Sequence, residues 1–145
     1  MKTYNDLTEV KSLLAECMWP NEERISRELD KYLTDDSRGL YGEIIHNQLA
    51  GLIGIVPYSD DVVELKHIAI KPQYRWHRLG ANLIHEYMQS YHPAKMIAET
   101  DQDAVGFYSK VGFEIHSLGE QYPGVERFQC ILSKDQELIL KGIRI

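Results

Sequence analysis

The chain has 145 residues, which allows one domain with a substantial core, and its 43% hydrophobic content excludes disorder as a description of the whole chain. A net charge of −6 argues against general nucleic-acid binding and suits a cationic small molecule or peptide. Without a ~20-residue apolar run or a secretory h-region, and with two cysteines in unrelated contexts, we expect a cytoplasmic protein with no membrane span.

The opening segment predicts two helices. The first covers Asp6 to Met18, with Thr3 and Asp6 as a capping box, and Pro20 ends it. Asn21 is placed to cap the second helix. The expected buried positions are Leu7, Val10, Leu13, Leu14 and Cys17 in the first helix and Ile25, Leu29, Tyr32 and Leu33 in the second.

Three strands follow. YGEIIH and LAGLIGIV are predicted to form a hairpin joined at Asn47 and Gln48, and Pro57 to Asp61 is predicted to be a turn. The next run, VVELKHIAI, carries apolar residues at both parities. A strand that is apolar on both faces is usually a central strand with helices on each side.

The second half alternates. We predict a helix bearing an apolar face and stopped by His92 and Pro93, a strand KMIAET, a helix from Asp103 to Val111 that ends at Gly112, and strands FEIHSL and RFQCILS separated by the turn GEQYPGVE. The apolar face comprises Leu79, Leu83, Tyr87, Met88 and Tyr91.

The order ααβββαβαββ predicts one α/β domain over residues 1–145, with a mixed sheet of about six to seven strands, helices on both faces and one parallel, right-handed crossover. The tail from Gln136 to Ile145 contains LILKGIRI. It is predicted to cover a sheet edge or to form a homodimer contact.

The loop after the third strand carries basic residues in an acidic chain: Lys71, Arg75, His77 and Arg78 lie within eight positions, immediately before a helix. A helix amino terminus presents unpaired N–H groups and the positive end of its dipole, so this loop is typical of a phosphate site. The alternative is a solvated basic turn. The glycines of a dinucleotide fingerprint or a Walker loop are absent.

Two blocks of this sequence resemble the GNAT acetyltransferase superfamily. PQYRWHRLGANL is similar to its signature R/Q-x-x-G-x-G/A at a strand-to-helix junction, and AVGFYSKVGF is similar to its later helix with a Phe-Tyr pair ending in Gly-Phe. The resemblance runs from Thr3 to Ser133. It implies that the loop amides hold the pyrophosphate of acetyl-coenzyme A. Arg75 and Gly80 match the signature, but Arg78 stands where the family has its first glycine.

The resemblance also implies that the third strand splays away from KMIAET, which frees amides near Ile68 and Ile70 for the thioester and the pantetheine arm. The implied cofactor-binding residues are Ile68, Ala69, Ile70, Arg75, Trp76, His77, Arg78, Leu79, Gly80, Ala81, Asp101 and Phe107.

Acetyl transfer to an amine needs a base, because an alkylamine with a pKa near ~10.4 arrives as ammonium at neutral pH. The resemblance implies Glu64, acting through water; His67 and water alone stay open, and Glu64 could instead pair with Lys66 or Arg75. Tyr108 matches the family's Tyr and is implied as the acid for the leaving thiolate. An aromatic on an amphipathic helix is otherwise a packing residue.

The leading hypothesis is therefore an acetyl-coenzyme A-dependent N-acetyltransferase acting on a small-molecule or peptide amine. A non-catalytic module that binds coenzyme A, and an acidic interaction domain with a phosphate-binding loop, are the alternatives. The six histidines lack ligand spacing, so we expect no metal. Acceptor contacts are expected from the residues Trp19, Glu22, Glu23, Arg24, Tyr122 and Glu126.

Overall fold

The computed structural model describes residues 6–75 and 78–134. Its helices are α1 (Leu7–Leu14), α2 (Glu22–Thr34), α3 (Leu79–Tyr91) and α4 (Val105–Val111), with short 3₁₀ turns at Ala15–Cys17 and Pro72–Tyr74. Its strands are β1 (Gly39–Ile45), β2 (Gln48–Ser59), β3 (Val62–Ile70), β4 (Lys95–Asp101), β5 (Glu114–Tyr122) and β6 (Val125–Ser133). The predicted order of helices and strands is confirmed. The predicted tail strand lies outside the described residues.

The strands form one six-stranded mixed sheet in the order β1-β2-β3-β4-β6-β5. β3 and β4 are parallel, whereas β1/β2, β4/β6 and β5/β6 are antiparallel. The mixed α/β class and the interior position of β3 are therefore as predicted. Within the described residues, the chain divides into two compact units: unit 1 holds 6–57, 65–75 and 78–86, and unit 2 holds 58–64 and 87–134.

The helices α1 and α2 begin where side chains cap them. The Asp6 side chain accepts a hydrogen bond from the Glu9 N–H at 3.0 Å, and the Asn21 side chain accepts from the Arg24 N–H at 3.1 Å. Each bond satisfies one N–H group that the first helical turn leaves without an acceptor. Capping by Asn21 is confirmed, and Thr3 of the predicted capping box lies outside the described residues.

These two helices bury one apolar face in unit 1. Their buried residues Val10, Leu13, Leu14, Ile25, Leu29 and Tyr32 pack with Leu40, Leu49, Leu52, Val56 and Ala69 of the strands. Burial of Leu7 and Leu33 was a wrong expectation, because both residues are exposed. Cys17 is exposed as a whole residue, although its sulfur is largely removed from solvent. The α-helical part of the first helix already ends at Leu14, and the chain tightens into a 3₁₀ turn well before Pro20.

The first hairpin is as predicted, but its turn is one residue earlier. His46 and Asn47 occupy the turn with φ of 50° and 63°, which matches the right-handed twist of the strands. The expected turn from Pro57 to Asp61 is shorter than predicted, since β2 continues through Ser59 and the turn covers Asp60 and Asp61. Gly39, at the start of β1, pairs with Ile55, so Pro57 lies beyond the β1 register and its missing N–H costs no bond there.

The last hairpin is longer than predicted. β5 extends to Tyr122 and β6 begins at Val125, so most of GEQYPGVE is strand rather than turn. Gly119 has φ of 78° and lies at one of two register irregularities in this hairpin. Here the glycine serves a bulge, which bends a strand without ending it.

Candidate active site

The parallel β3–β4 ladder is short. It consists of Val62 with Lys95, Val63 with Met96 and Glu64 with Ile97. β4 continues its register with β6 as far as Asp101, and β3 continues to Ile70 outside the β3–β4 pairs. Glu64 lies at the last pair of this ladder.

The backbone direction in β3 follows from the bond at its end. The Lys71 N–H donates to the Ala50 carbonyl of β2 at 2.9 Å. Because successive N–H groups along a strand point to opposite sides, the N–H groups of Ile68 and Ile70 point away from β2. The Ile68 backbone hydrogen-bonds the thiol of Cys17, yet burial of that sulfur outweighs this bond and raises the pKa of Cys17 to about 11.

The loop between β3 and α3 ends in a capped helix. A 3₁₀ turn at Pro72–Tyr74 is followed by Arg75, and the Asn82 N–H donates to the Arg78 carbonyl at 3.0 Å as α3 begins. The N–H groups of the first three helical residues, 79 to 81, precede any intrahelical acceptor. These are the N–H groups that we expect from the sequence to bind the pyrophosphate of acetyl-coenzyme A.

Two cationic residues of this loop are bound to carboxylates in unit 1. Lys71 Nζ lies 2.8 Å from Glu9 Oε2, which also accepts from the Leu49 N–H at 3.0 Å. The Arg75 Nε donates to the Ile70 carbonyl at 3.1 Å, and its guanidinium lies 3.9 Å from Glu16. In this structure, Arg75 therefore fixes the end of β3.

Arg78, which stands where the signature has a glycine, adopts a backbone conformation that favours glycine. Its φ is 59°, in the left-handed region, and the residue is exposed. A side chain in this region costs about 1–2 kcal/mol, a cost that glycine does not carry. Trp76 and His77 lie outside the described residues, so the structure leaves their predicted contacts untested.

Glu64 is half-buried on β3. Glu64 does not form the alternative ion pair with Lys66 or Arg75. Lys66 lies 3.9 Å from Glu28 instead, and Arg75 is directed to Glu16. Glu64 has no ion pair among the described residues, so its carboxylate is not committed to a neighbouring cation there.

His67, the alternative base, is a buried residue of unit 1. Its Nδ1 lies 2.6 Å from the Tyr32 hydroxyl, and the two rings meet edge to face at 5.6 Å. Burial is the main cause that lowers the pKa of His67 to about 4; Glu28 opposes this shift, while the nearby cations Lys66 and Arg38 add to it. A histidine this weakly basic is a poor acceptor for an ammonium proton.

The α4 helix of unit 2 carries the Phe-Tyr pair. Tyr108 is buried with 6% of its surface exposed, and its ring lies edge to face with Phe107 and Phe113 at 5.2 Å each. Phe107 is 36% exposed. Gly112 ends the helix with φ of 115°, as predicted.

Asp101 does not cap α4 directly. Its carboxylate accepts from the N–H of Ala104, the residue at the N-cap position, at 3.0 Å, and Ala104 has no capping side chain. Asp101 therefore fixes the turn that precedes the helix.

The family assignment rests on a match of residues 15–128 to the family model of the "Acetyltransferase (GNAT) domain". This range includes the loop, the short ladder and α4. The chain belongs to the GNAT acetyltransferase family.

Solved structures share the GNAT fold at low sequence identity. An aminoglycoside 6′-N-acetyltransferase complexed with coenzyme A superposes with a TM-score of 0.78 at 16% identity, covering 92% of this chain and 94% of that one. A protein from Bacillus anthracis in complex with acetyl coenzyme A gives 0.63 at 23%, covering 72% and 66%. A spermidine N-acetyltransferase variant from Vibrio cholerae gives 0.70 at 15%, covering 92% of each chain. No curated protein gives a significant sequence match.

Other groups in this GNAT chain carry structural rather than chemical roles. His85 on α3 is 6% exposed, and Cys130 is fully buried with its thiol pKa raised to about 11 by burial. The described residues contain no cluster of three or more side chains suited to a metal. None of the helices in the described ranges is long and apolar enough to span a membrane.

The acceptor candidates are mostly exposed in the GNAT chain. Trp19 and Tyr122 are 76% and 71% exposed. Glu22, expected in a loop, instead begins α2 and pairs with Lys11 at 3.0 Å, and Glu126 accepts from the Ser117 hydroxyl. The residues that sequence reasoning missed are Glu9 and Glu16. No local signal identifies them, because Glu9 lies 62 positions before Lys71 and Glu16 lies 59 positions before Arg75.

Proposed function

We propose that this chain transfers the acetyl group of acetyl-coenzyme A to the primary amine of a small molecule or peptide. The observation that carries the proposal is the family match over residues 15–128, which covers both the amides opening α3 and the Tyr108 helix. The coenzyme A and acetyl-coenzyme A named for two related folds support the choice of cosubstrate.

The helix amino terminus would bind the diphosphate. The N–H groups of Leu79, Gly80 and Ala81, with the dipole of the 13-residue helix behind them, offer donors that need no reorganisation when the anion arrives. The Ile70 N–H, and the Ile68 N–H in exchange for its bond to the Cys17 thiol, are the candidate donors to the pantetheine arm and the thioester carbonyl. A fixed donor to the developing oxyanion is worth about 3 kcal/mol.

Glu64 is the proposed base. It is half-buried at the last pair of the β3–β4 ladder and has no ion pair in the described part of the chain. His67, with its pKa of about 4 and its contact to Tyr32, is much the weaker candidate. Glu64 would accept the ammonium proton through water and so generate the amine nucleophile.

Tyr108 is the proposed acid. Nitrogen attacks the thioester carbonyl and passes its remaining excess proton to water, the tetrahedral intermediate collapses, the carbon–sulfur bond breaks, and the thiolate of coenzyme A takes the phenolic proton. The Tyr108 phenolate then regains a proton from water. The surrounding rings Phe107 and Phe113 fix the orientation of Tyr108. The acceptor is proposed to be cationic, because the chain carries a net charge of −6 and the related folds include acetyltransferases named for an aminoglycoside and spermidine.

A second candidate is a non-catalytic module of the same family that binds coenzyme A. The observation that favours it is Arg78, which stands where the signature has a glycine for close approach of the cofactor to the backbone.

The test is release of coenzyme A thiol from acetyl-coenzyme A with a panel of polyamines, aminoglycosides and peptide amines. Wild type should release thiol with at least one amine, and Tyr108→Phe should lower kcat by about 100-fold without changing the dissociation constant of coenzyme A. Tyr91→Phe, an exposed tyrosine on α3, is the matched control and should keep full activity. Binding without acetylation of any amine would favour the non-catalytic module, and a fully active Tyr108→Phe would remove the acid assignment.

A further inference from the structure

The cationic side chains of the phosphate loop differ in whether other protein groups already bind them. Lys71 is held by Glu9 at 2.8 Å, with side chains only 23% and 20% exposed, and Arg75 is held by the Ile70 carbonyl and faces Glu16. Both cations are therefore already bound to protein oxygens before a phosphate ligand arrives. Moving either toward a phosphate would break contacts that fix the loop.

Arg78 differs from both. It is exposed and has no ion pair among residues 6–75 and 78–134. Its carbonyl accepts the first hydrogen bond of α3, so it is the residue next to the N–H groups of Leu79, Gly80 and Ala81. Among the described residues of the loop, it is the cation that is free to meet an anion bound at the start of α3.

The backbone of Arg78 gives a second and independent reason. At φ of 59° it occupies the region in which glycine is the least strained residue. The chain nevertheless carries a bulky cationic side chain there. The strain is uncompensated by any ion pair in the described residues, which points to a role in the ligand-bound state.

We propose that the Arg78 guanidinium binds the diphosphate of coenzyme A beside the α3 amides, and that it replaces by charge the close backbone approach that glycine allows. The inference rests on the proposed function. A guanidinium presents paired donors that match two phosphate oxygens, and a local cation matters more in a chain of net charge −6, which otherwise repels an anionic cofactor.

The test is calorimetric titration of coenzyme A into wild type, Arg78→Gly, Arg78→Gln and Arg78→Lys at low and high salt. The Gly and Gln variants should bind about tenfold more weakly and lose most of the salt dependence, whereas Lys should stay within about threefold of wild type. Arg27→Gln, which removes the same charge from an exposed position on α2, should bind like wild type.

The Arg78→Gly variant separates a ligand-binding role from a structural one. Because glycine relieves the strain at φ of 59°, its melting temperature should equal or exceed that of wild type while its affinity falls. Titration with 3′-dephospho-coenzyme A, which keeps the diphosphate, should show the same loss.

Arg78→Gly binding coenzyme A as tightly as wild type, or a loss that vanishes with the dephosphorylated cofactor, would overturn the assignment of Arg78 to the diphosphate. A wild-type protein that gives no heat with coenzyme A would instead defeat the proposed function, and this inference with it.

Discussion

The buried pair of Tyr32 and His67 makes the free energy of unfolding depend on pH. Burial holds the pKa of His67 at about 4, below its ordinary value of 6.5. The folded protein therefore keeps the imidazole neutral over a range in which the unfolded chain binds a proton. As the pH falls through that range, protonation favours the unfolded chain, so this part of the stability is present above pH 6.5 and is lost toward pH 4.

The size of the effect follows from the shift. One pKa unit corresponds to about 1.36 kcal/mol, so His67 accounts for about 3 kcal/mol of stability lost between these two pH values. His67 is 8% exposed, so solvent screens little of this difference. His67→Asn removes the titration and keeps a polar atom that can hydrogen-bond the Tyr32 hydroxyl.

Urea denaturation from about pH 7.5 to pH 4 provides the measurement. The free energy of unfolding of wild type should exceed that of His67→Asn near neutrality, and the gap should shrink by about 3 kcal/mol at pH 4. Leu65→Val, a buried change on the same strand, should lower stability by about 1 kcal/mol at every pH. A gap between wild type and His67→Asn that stays constant across the range would refute the reasoning.

Three further substitutions have predicted effects on urea unfolding. Gly54→Ala should cost about 1–3 kcal/mol, because a β-carbon there overlaps the buried Tyr32 hydroxyl; an unchanged stability would contradict the tight packing. Gly106→Ala should gain about 1 kcal/mol, since nothing lies within 4 Å of the added atom, and weakened coenzyme A binding would show instead that this glycine makes room for the cofactor. Glu9→Gln should lose about 0.5–1 kcal/mol through its pair with Lys71 at low salt, and the loss should shrink in 1 M salt; an equal loss at both salt concentrations would argue against an ion pair.

The sequence predicted the fold well where its signals are local. The Asn21 cap, the Gly112 helix end and the β3 strand all appear as expected, because each depends on the residues beside it. Turn signals were less reliable. Pro57 lies within β2 but beyond the residues that pair with β1, so its missing N–H costs no bond to β1. Gly119 serves a bulge rather than a turn. Which of these alternatives a proline or glycine adopts depends on strand pairing, which one sequence does not reveal.

For the candidate site, the motif located the loop but not its charge pairing. Sequence reasoning gave Arg75 a phosphate contact, whereas the structure directs its side chain to Ile70 and Glu16. Glu16 is 59 positions away along the chain, and no local pattern specifies so distant a partner. The same holds for His67, whose partner Tyr32 comes from another element and whose burial changes the pKa of the imidazole.

The central claim is that the amides opening α3 hold the diphosphate of acetyl-coenzyme A. Amide proton–nitrogen correlation spectra recorded during titration with coenzyme A test it residue by residue. The account predicts that the largest saturable shifts fall on Leu79, Gly80 and Ala81. A spectrum in which those three amides stay in place while the cofactor saturates other residues would contradict it.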